Sequence, residues 1–356
     1  MSTKTVHFPI VPELEDQEPE NLRELSEQKQ PELYDLKRLM VRYYNTGSPR
    51  MRQSVREELA HMLRGNEFPY VCPGTPLEQF WRYKRADKEY GGKIFDCDNS
   101  NATCDLTFQL YRCLWGWPDG LMSEAEADNR HTRGRLSSWG ERFFGGDTMN
   151  SVATTLRIYR RAFPECDPAP VFDTFAQLTH CIGNFILVPY GFNRGRYGRT
   201  NDFWDASLTW LQRDGFQGLE PENFTKYINY FFLWDYVSLD ENGGYRVKSL
   251  FGGQERLEQE KLWAEIKPEE IPGFCDAVCD CIRRRGRFMA LLLYLNTHQE
   301  LKPVSQAFLN YLQGEMFLQQ AHGDGYATAL QALRALLPDR IEDSVLASRL
   351  SSLLGQ

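Results

Sequence analysis

Long apolar runs are missing from this chain of 356 residues. A bilayer-spanning helix needs about 20 consecutive apolar residues, and the longest candidate, FMALLLYL at 288–295, stops far short of that. The N-terminal stretch MSTKTVHFPIVPELEDQEPEN lacks a basic region followed by an apolar one, so no secretory leader is expected. Metal-binding spacings are equally scarce. Nine cysteines and six histidines include no C-x-x-C and no H-x-x-x-H pair, so no structural zinc is expected. The cysteines are odd in number, and Cys275, Cys279 and Cys281 fall within a helical pattern, which reads as reduced thiols. These absences together predict a soluble, cytoplasmic protein with no membrane partner.

What is present describes an ordinary globular chain. Hydrophobic residues make up 42% and charged residues 25%, a balance that excludes a disordered polymer. Eight tryptophans recur from Trp81 to Trp263, which favours one continuous core. A net charge of −8 argues against a protein that coats nucleic acid, but the charge is unevenly placed. Residues 11–30 hold seven acids against Arg23 and Lys29. Residues 130–161 hold seven arginines against Glu141 and Asp147, and Arg194, Arg196 and Arg199 follow. Were these two basic segments to meet in the fold, they would offer an anion a site.

Periodicity predicts a mainly α protein: a single large helical domain over 31–295 with minor β, a helical C-terminal extension over 296–356 and an acidic arm over 1–30. Helices are expected at 32–44 and 49–64, and after FFGGD, where Asp147 or Thr148 serves as N-cap. More follow at about 170–180, in NDFWDASLTWLQRDG, through PENFTKYINYFFLWDYV and across 268–295. Short strands are expected near FILV and at 239–250, where Asn242-Gly243 marks a hairpin turn. The run RRRGR at 283–287 reads as a charged outer face.

The densest polar constellation is LTHCIGNFILVPYGFNRGR at 178–196. Three chemistries fit it. In an enzyme, His180 is the general base and Asn184 orients it, Asn193 or Asp202 lies near a metal, and Arg194 and Arg196 hold phosphate. In a binding protein, Asp147, Asn150, Asn193, Arg194, Arg196 and Arg199 receive a nucleotide or nucleic-acid phosphate. Gly191, Gly195 and Gly198 expose backbone amides there, and a helix start near Asn201 adds its positive end. In a purely structural reading, His180 and Asn184 are buried and satisfied at a chain reversal.

Two resemblances bear on the choice. IGNFILVPYGFNRG resembles the later half of an HNH nuclease motif, which implies magnesium or manganese and a metal-dependent nuclease of the phage-defence kind. The histidine here stands only four residues before Asn184, so the upstream element of that motif has no direct counterpart. The segments GGDTMNS, THCIGNFILVP, FNRGR and NDFWDASL resemble those of an uncharacterised bacterial family. That likeness implies one coherent domain over about 78–295 and carries no activity with it. A protein-interaction or regulatory module, in which the basic segments and the acidic arm meet partners, completes the set of expectations.

Overall fold

The computed structural model describes Tyr111, Leu114 and residues 126–337 apart from 128–131, 137–141, 152–154, 156–157, 160, 164–169, 179–181, 190, 193–199, 201–202, 215–220, 242, 260–266, 298–301, 315–316 and 318–323. The expected arm over 1–30 and the helices at 32–44 and 49–64 lie outside the described residues. Among those described, helix far outweighs strand, and the protein is mainly α.

A four-stranded antiparallel sheet stands at the N-terminal side, with β1 (Glu126–Ala127), β2 (Thr132–Leu136), β3 (Arg142–Thr148) and β4 (Phe185–Pro189) as successive neighbours. Strand β4 is the FILVP run, buried along its whole length, as a continuous apolar run requires. Strand β3 corrects the expected helix cap. Asp147 pairs with Ile186 and Thr148 with Phe185, so partners nearly forty residues away, rather than local capping chemistry, decide the conformation of GGDT.

Helix α1 (Val171–Leu178) buries Phe172, Phe175 and Leu178, and α2 (Trp204–Asp214) buries Trp204, Leu208 and Leu211, both at helical spacing. Helix α3 (Pro221–Tyr230) stops well before the apolar pattern does. The Leu233 amide donates to the Ile228 carbonyl at 3.0 Å and the Phe232 amide to the Asn229 carbonyl at 3.4 Å, a Schellman closure. Phe232 consequently sits at φ +56°, where a non-glycine residue costs about 1–2 kcal/mol. The cost is offset by burial of its ring against Trp234 and Phe288. A 3-10 turn (Trp234–Tyr236) then leads into β5 (Val237–Leu239) and β6 (Tyr245–Val247), the expected hairpin, with Gly243 at φ +78° in its turn.

Helix α4 (Ile271–Thr297) is the longest element among the described residues, and Ile271, Phe274, Val278, Ile282, Arg285, Met289 and Leu292 recur along its buried face in steps of three and four. Each aliphatic or aromatic side chain of that set contributes about 1.5–3 kcal/mol on burial. Helix α5 (Lys302–Gln313) packs on α3 and α4, and α6 (Gly325–Leu336) on α5 and the 234–236 turn. Phe308, Leu312, Tyr326, Leu330 and Leu333 from these last helices join the same buried cluster as β4 and α2. No helix among the described residues is long and apolar enough to cross a membrane.

Two buried ionic features tie loops to this core. Asp205, in the first turn of α2, accepts hydrogen bonds from the Ala206 amide at 2.8 Å and the Leu250 amide at 2.9 Å, and pairs with the buried Arg256. Removing one member of such a pair costs more than the pair contributes, because the other charge is left buried alone. The second feature corrects the reading of RRRGR as an outer face. Arg287 is exposed, but Arg285 is fully enclosed and Gly286 is buried.

Gly286 has a counterpart in Gly183. A methyl group on Gly183 would overlap the Ile282 carbonyl oxygen and approach the Gly286 nitrogen to 2.8 Å, both backbone atoms of α4. The IGN turn therefore lies directly on the helix backbone, at a separation only glycine permits. Gly183→Ala is expected to lower unfolding stability by about 3 kcal/mol, the upper range for overpacking against a rigid neighbour. Urea denaturation of the two proteins checks this.

Candidate functional site

The segment GGDTMNS and the IGN of THCIGN come together where β3 ends beside the start of β4. Asn150 lies two residues past β3, and Asn184 closes the 3-10 turn (Ile182–Asn184) that opens β4. The Asn150 amide donates to Asn184 Oδ1 at 3.0 Å, and Asn184 Nδ2 donates to the Asn150 carbonyl at 2.9 Å. Asn184 thus continues the β-ladder with its side chain, supplying one donor and one acceptor as a backbone residue would.

Asn150 uses its own side chain in two further directions. Its Nδ2 donates to Tyr236 Oη at 3.1 Å, and its Oδ1 accepts from the Trp204 amide at 3.3 Å. All four polar groups of Asn150 are therefore engaged, as a residue exposed by only 1% requires. Burial pushes the Tyr236 phenol well above its ordinary value, with the Cys281 thiol next in effect, so it stays protonated at neutral pH.

A few ångströms along the same turn, the Gly183 and Phe185 carbonyls accept from Arg285 Nη1 at 2.7 and 2.9 Å. Arg285 Nε donates to the Phe231 carbonyl at 2.8 Å, and Nη2 donates to Tyr111 Oη. Tyr111 donates onward to the Phe185 carbonyl at 3.0 Å. Burial raises the Tyr111 phenol to about 12 against the opposing pull of Arg285. Arg285 is thus bound by neutral oxygens, and among the described residues no carboxylate forms an ion pair with it. Guanidinium suits this position, since it presents five donors in a fixed fork and is more weakly hydrated than an ammonium.

Asp147 is half-buried in β3, in register with Ile186. His180, Asn193, Arg194, Arg196, Arg199 and Asp202 lie outside the described residues. The segment carrying the three arginines is nevertheless flanked by fixed points. Phe192 is fully buried and stacks on Trp210 with centroids 4.7 Å apart, while Gly191 takes φ +86° just before it. On the far side, Thr200 is also fully buried, accepts from Ser207 Oγ at 3.0 Å, and accepts the Phe203 amide through its carbonyl at 3.0 Å.

Helix α2 begins at Trp204, later than the start expected near Asn201. Its first amides are met within the protein, that of Trp204 by Asn150 and that of Ala206 by the Asp205 carboxylate. The expected contribution of this helix end to an anion site is corrected accordingly: Asn150 and Asp205 already occupy those donors.

Among the described residues, no group of three or more metal-ligating side chains converges. Cys275, Cys279 and Cys281 are free and buried, and burial raises all three thiols, Cys279 to about 12, so none is an activated nucleophile at neutral pH. Sequence reasoning missed Arg285, Tyr111 and Tyr236. The only available signal was Arg285 falling in phase with the apolar stripe of α4, at three residues from Ile282 and from Phe288.

Asn184→Asp keeps the shape but replaces the Nδ2 donor with an oxygen facing the Asn150 carbonyl. It is expected to cost about 3 kcal/mol of unfolding stability, through a lost bond and a buried charge, and Asn184→Ala a similar amount. Chemical denaturation with a circular-dichroism readout measures both. No family model, curated protein or solved structure matches the chain.

Proposed function

We propose that this protein binds an anionic ligand, a nucleotide or a nucleic-acid phosphate, through Arg194, Arg196 and Arg199. The observation that carries this reading is the pair of buried anchors, Phe192 and Thr200, on either side of the arginine segment. Seven residues between them carry three guanidinium groups and no acid. Fixing both ends lowers the entropy that the segment loses on binding, and guanidinium gives charge-assisted, bidentate bonds to phosphate.

In this reading Asn150 and Asn184 are positioning residues. They fix the start of α2, and hence Thr200, relative to the end of β4 and Phe192. The same reading takes the protein as cytoplasmic and of bacterial or phage origin, with one domain over 31–295 and the C-terminal helices packed onto it.

The test is binding of a fluorescent single-stranded oligonucleotide, and of inorganic phosphate in competition, across a salt series. Replacing Arg194, Arg196 and Arg199 together by Ala is expected to weaken binding by more than tenfold. It should also flatten the slope of log affinity against log salt by about 2, given about 0.7 per phosphate contact on a single strand. Equal binding by parent and variant overturns the proposal. Cleavage of the oligonucleotide that requires magnesium or manganese and is lost in His180→Ala would replace it with the nuclease reading, and absence of any binding would leave a protein-interaction module.

A further inference from the structure

The N-terminus of α6 is held to the core by three charged side chains in a row. Arg284 on α4 donates through Nη1 to Asp235 Oδ1 at 3.1 Å and through Nη2 to Asp324 Oδ2. Asp324 is also the N-cap of α6, accepting the Tyr326 amide at 3.0 Å and the Ala327 amide at 3.2 Å. The Arg284 guanidinium lies 4.8 Å from the centre of the Tyr326 ring, and Tyr326 Oη donates to the Phe232 carbonyl at 2.7 Å. The first residue of α6, Gly325, sits so close to Trp234 that a methyl group there would enter the indole ring.

The two carboxylates are unequal. Asp324 is 44% exposed at its side chain, but Asp235 is only 15% exposed, and its Oδ2 is buried with no hydrogen-bond partner among the described residues. One guanidinium therefore forms ion pairs with two carboxylates, and one of those carboxylates has an oxygen that is buried and unbonded among the described residues. We propose that Asp235 is a proton-operated latch on α6: protonated, it leaves Arg284 wholly to the Asp324 cap and holds the helix closed, and ionised, it favours lifting of the first turn of α6 so that water reaches the carboxylate.

Titratable and charged groups face Asp235 from several elements. Arg284 and Cys281 come from α4, Lys248 from the segment after β6, and Asp324 and Tyr326 from the start of α6. Burial raises Tyr326 and Cys281 far above neutrality, while Asp324 lies below the ordinary carboxylate value: burial raises it, but the Arg284 hydrogen bond and the cap outweigh that. Asp235 is raised to about 6, chiefly by burial and against the pull of Arg284. An acid whose closed-state value is raised stabilises the closed state fully below its ordinary value, and that stabilisation is lost as pH rises through the raised one. The window is therefore pH 4–6, with a plateau above it.

Hydrogen exchange of the 325–336 amides in the full-length protein, corrected for intrinsic rates, tests this at pH 5 and pH 7.5. Opening is expected to be about tenfold more frequent at pH 7.5, as linkage between the ordinary and raised values gives, and Asp235→Asn should be protected equally at both. Equal protection of the parent at the two pH values, or an unchanged pH dependence in the variant, overturns the latch. Titration of the Asp235 carboxyl carbon by NMR in the parent decides the matter without a variant: a midpoint near 6 supports the latch, and one near 4 overturns it.

Discussion

One guanidinium carries the irregular parts of this fold. The turn at 183–185 and the end of α3 at 231 both present buried carbonyl groups to an aromatic core. An unmet buried carbonyl costs about 1–3 kcal/mol. Arg285 supplies three such oxygens and the Tyr111 hydroxyl from a single side chain. The burial of a cation is offset by the number of bonds it makes, and the arrangement depends on Gly183 letting the turn approach the α4 backbone.

Around this point the protein repeats a single device, a buried polar side chain that joins elements distant in sequence. Asn150 connects the end of β3 to Asn184, α2 and the 234–236 turn. Asn229 on α3 donates to the Leu312 carbonyl at 2.9 Å and accepts from Trp234 Nε1 and Tyr245 Oη at 2.9 and 2.7 Å, so it links α5, the same turn and the hairpin. Asp205 and Arg256 do the same for the loop after β6. Because each junction is enclosed and bonded in several directions, it fixes position more narrowly than apolar packing alone.

The parts of this organisation that sequence made legible were those set by local pattern. The FILV strand, the Asn-Gly hairpin, α1, α2 and α4 all follow from apolar spacing and turn chemistry that neighbours within ten residues determine. The errors share one cause. Asp147 and Thr148 carry a good cap signal, yet strand pairing with Ile186 and Phe185 overrides it. The apolar run after Tyr230 continues a helical pattern, and only the burial of Phe232 makes its left-handed backbone affordable. RRRGR looked solvated because charge pattern contains no record of which distant carbonyls lack donors. At the candidate site, GGDTMNS and THCIGN stood out in the sequence as concentrations of polar residues. That Asn184 would imitate a strand residue was not, since this depends on a partner thirty-four positions away.

The reach of Arg285 also sets an order of events during synthesis. Its partners lie 54, 100, 102 and 174 positions earlier in the chain. A growing polypeptide that has emerged from the ribosome only as far as β6 contains Tyr111, the 183–185 turn and the end of α3 but lacks the guanidinium that meets the Gly183 and Phe231 carbonyls. Contacts this remote close late, after the entropy of a long loop has been spent. The sheet and helices α1–α3 therefore reach their final packing only when α4 supplies Arg285.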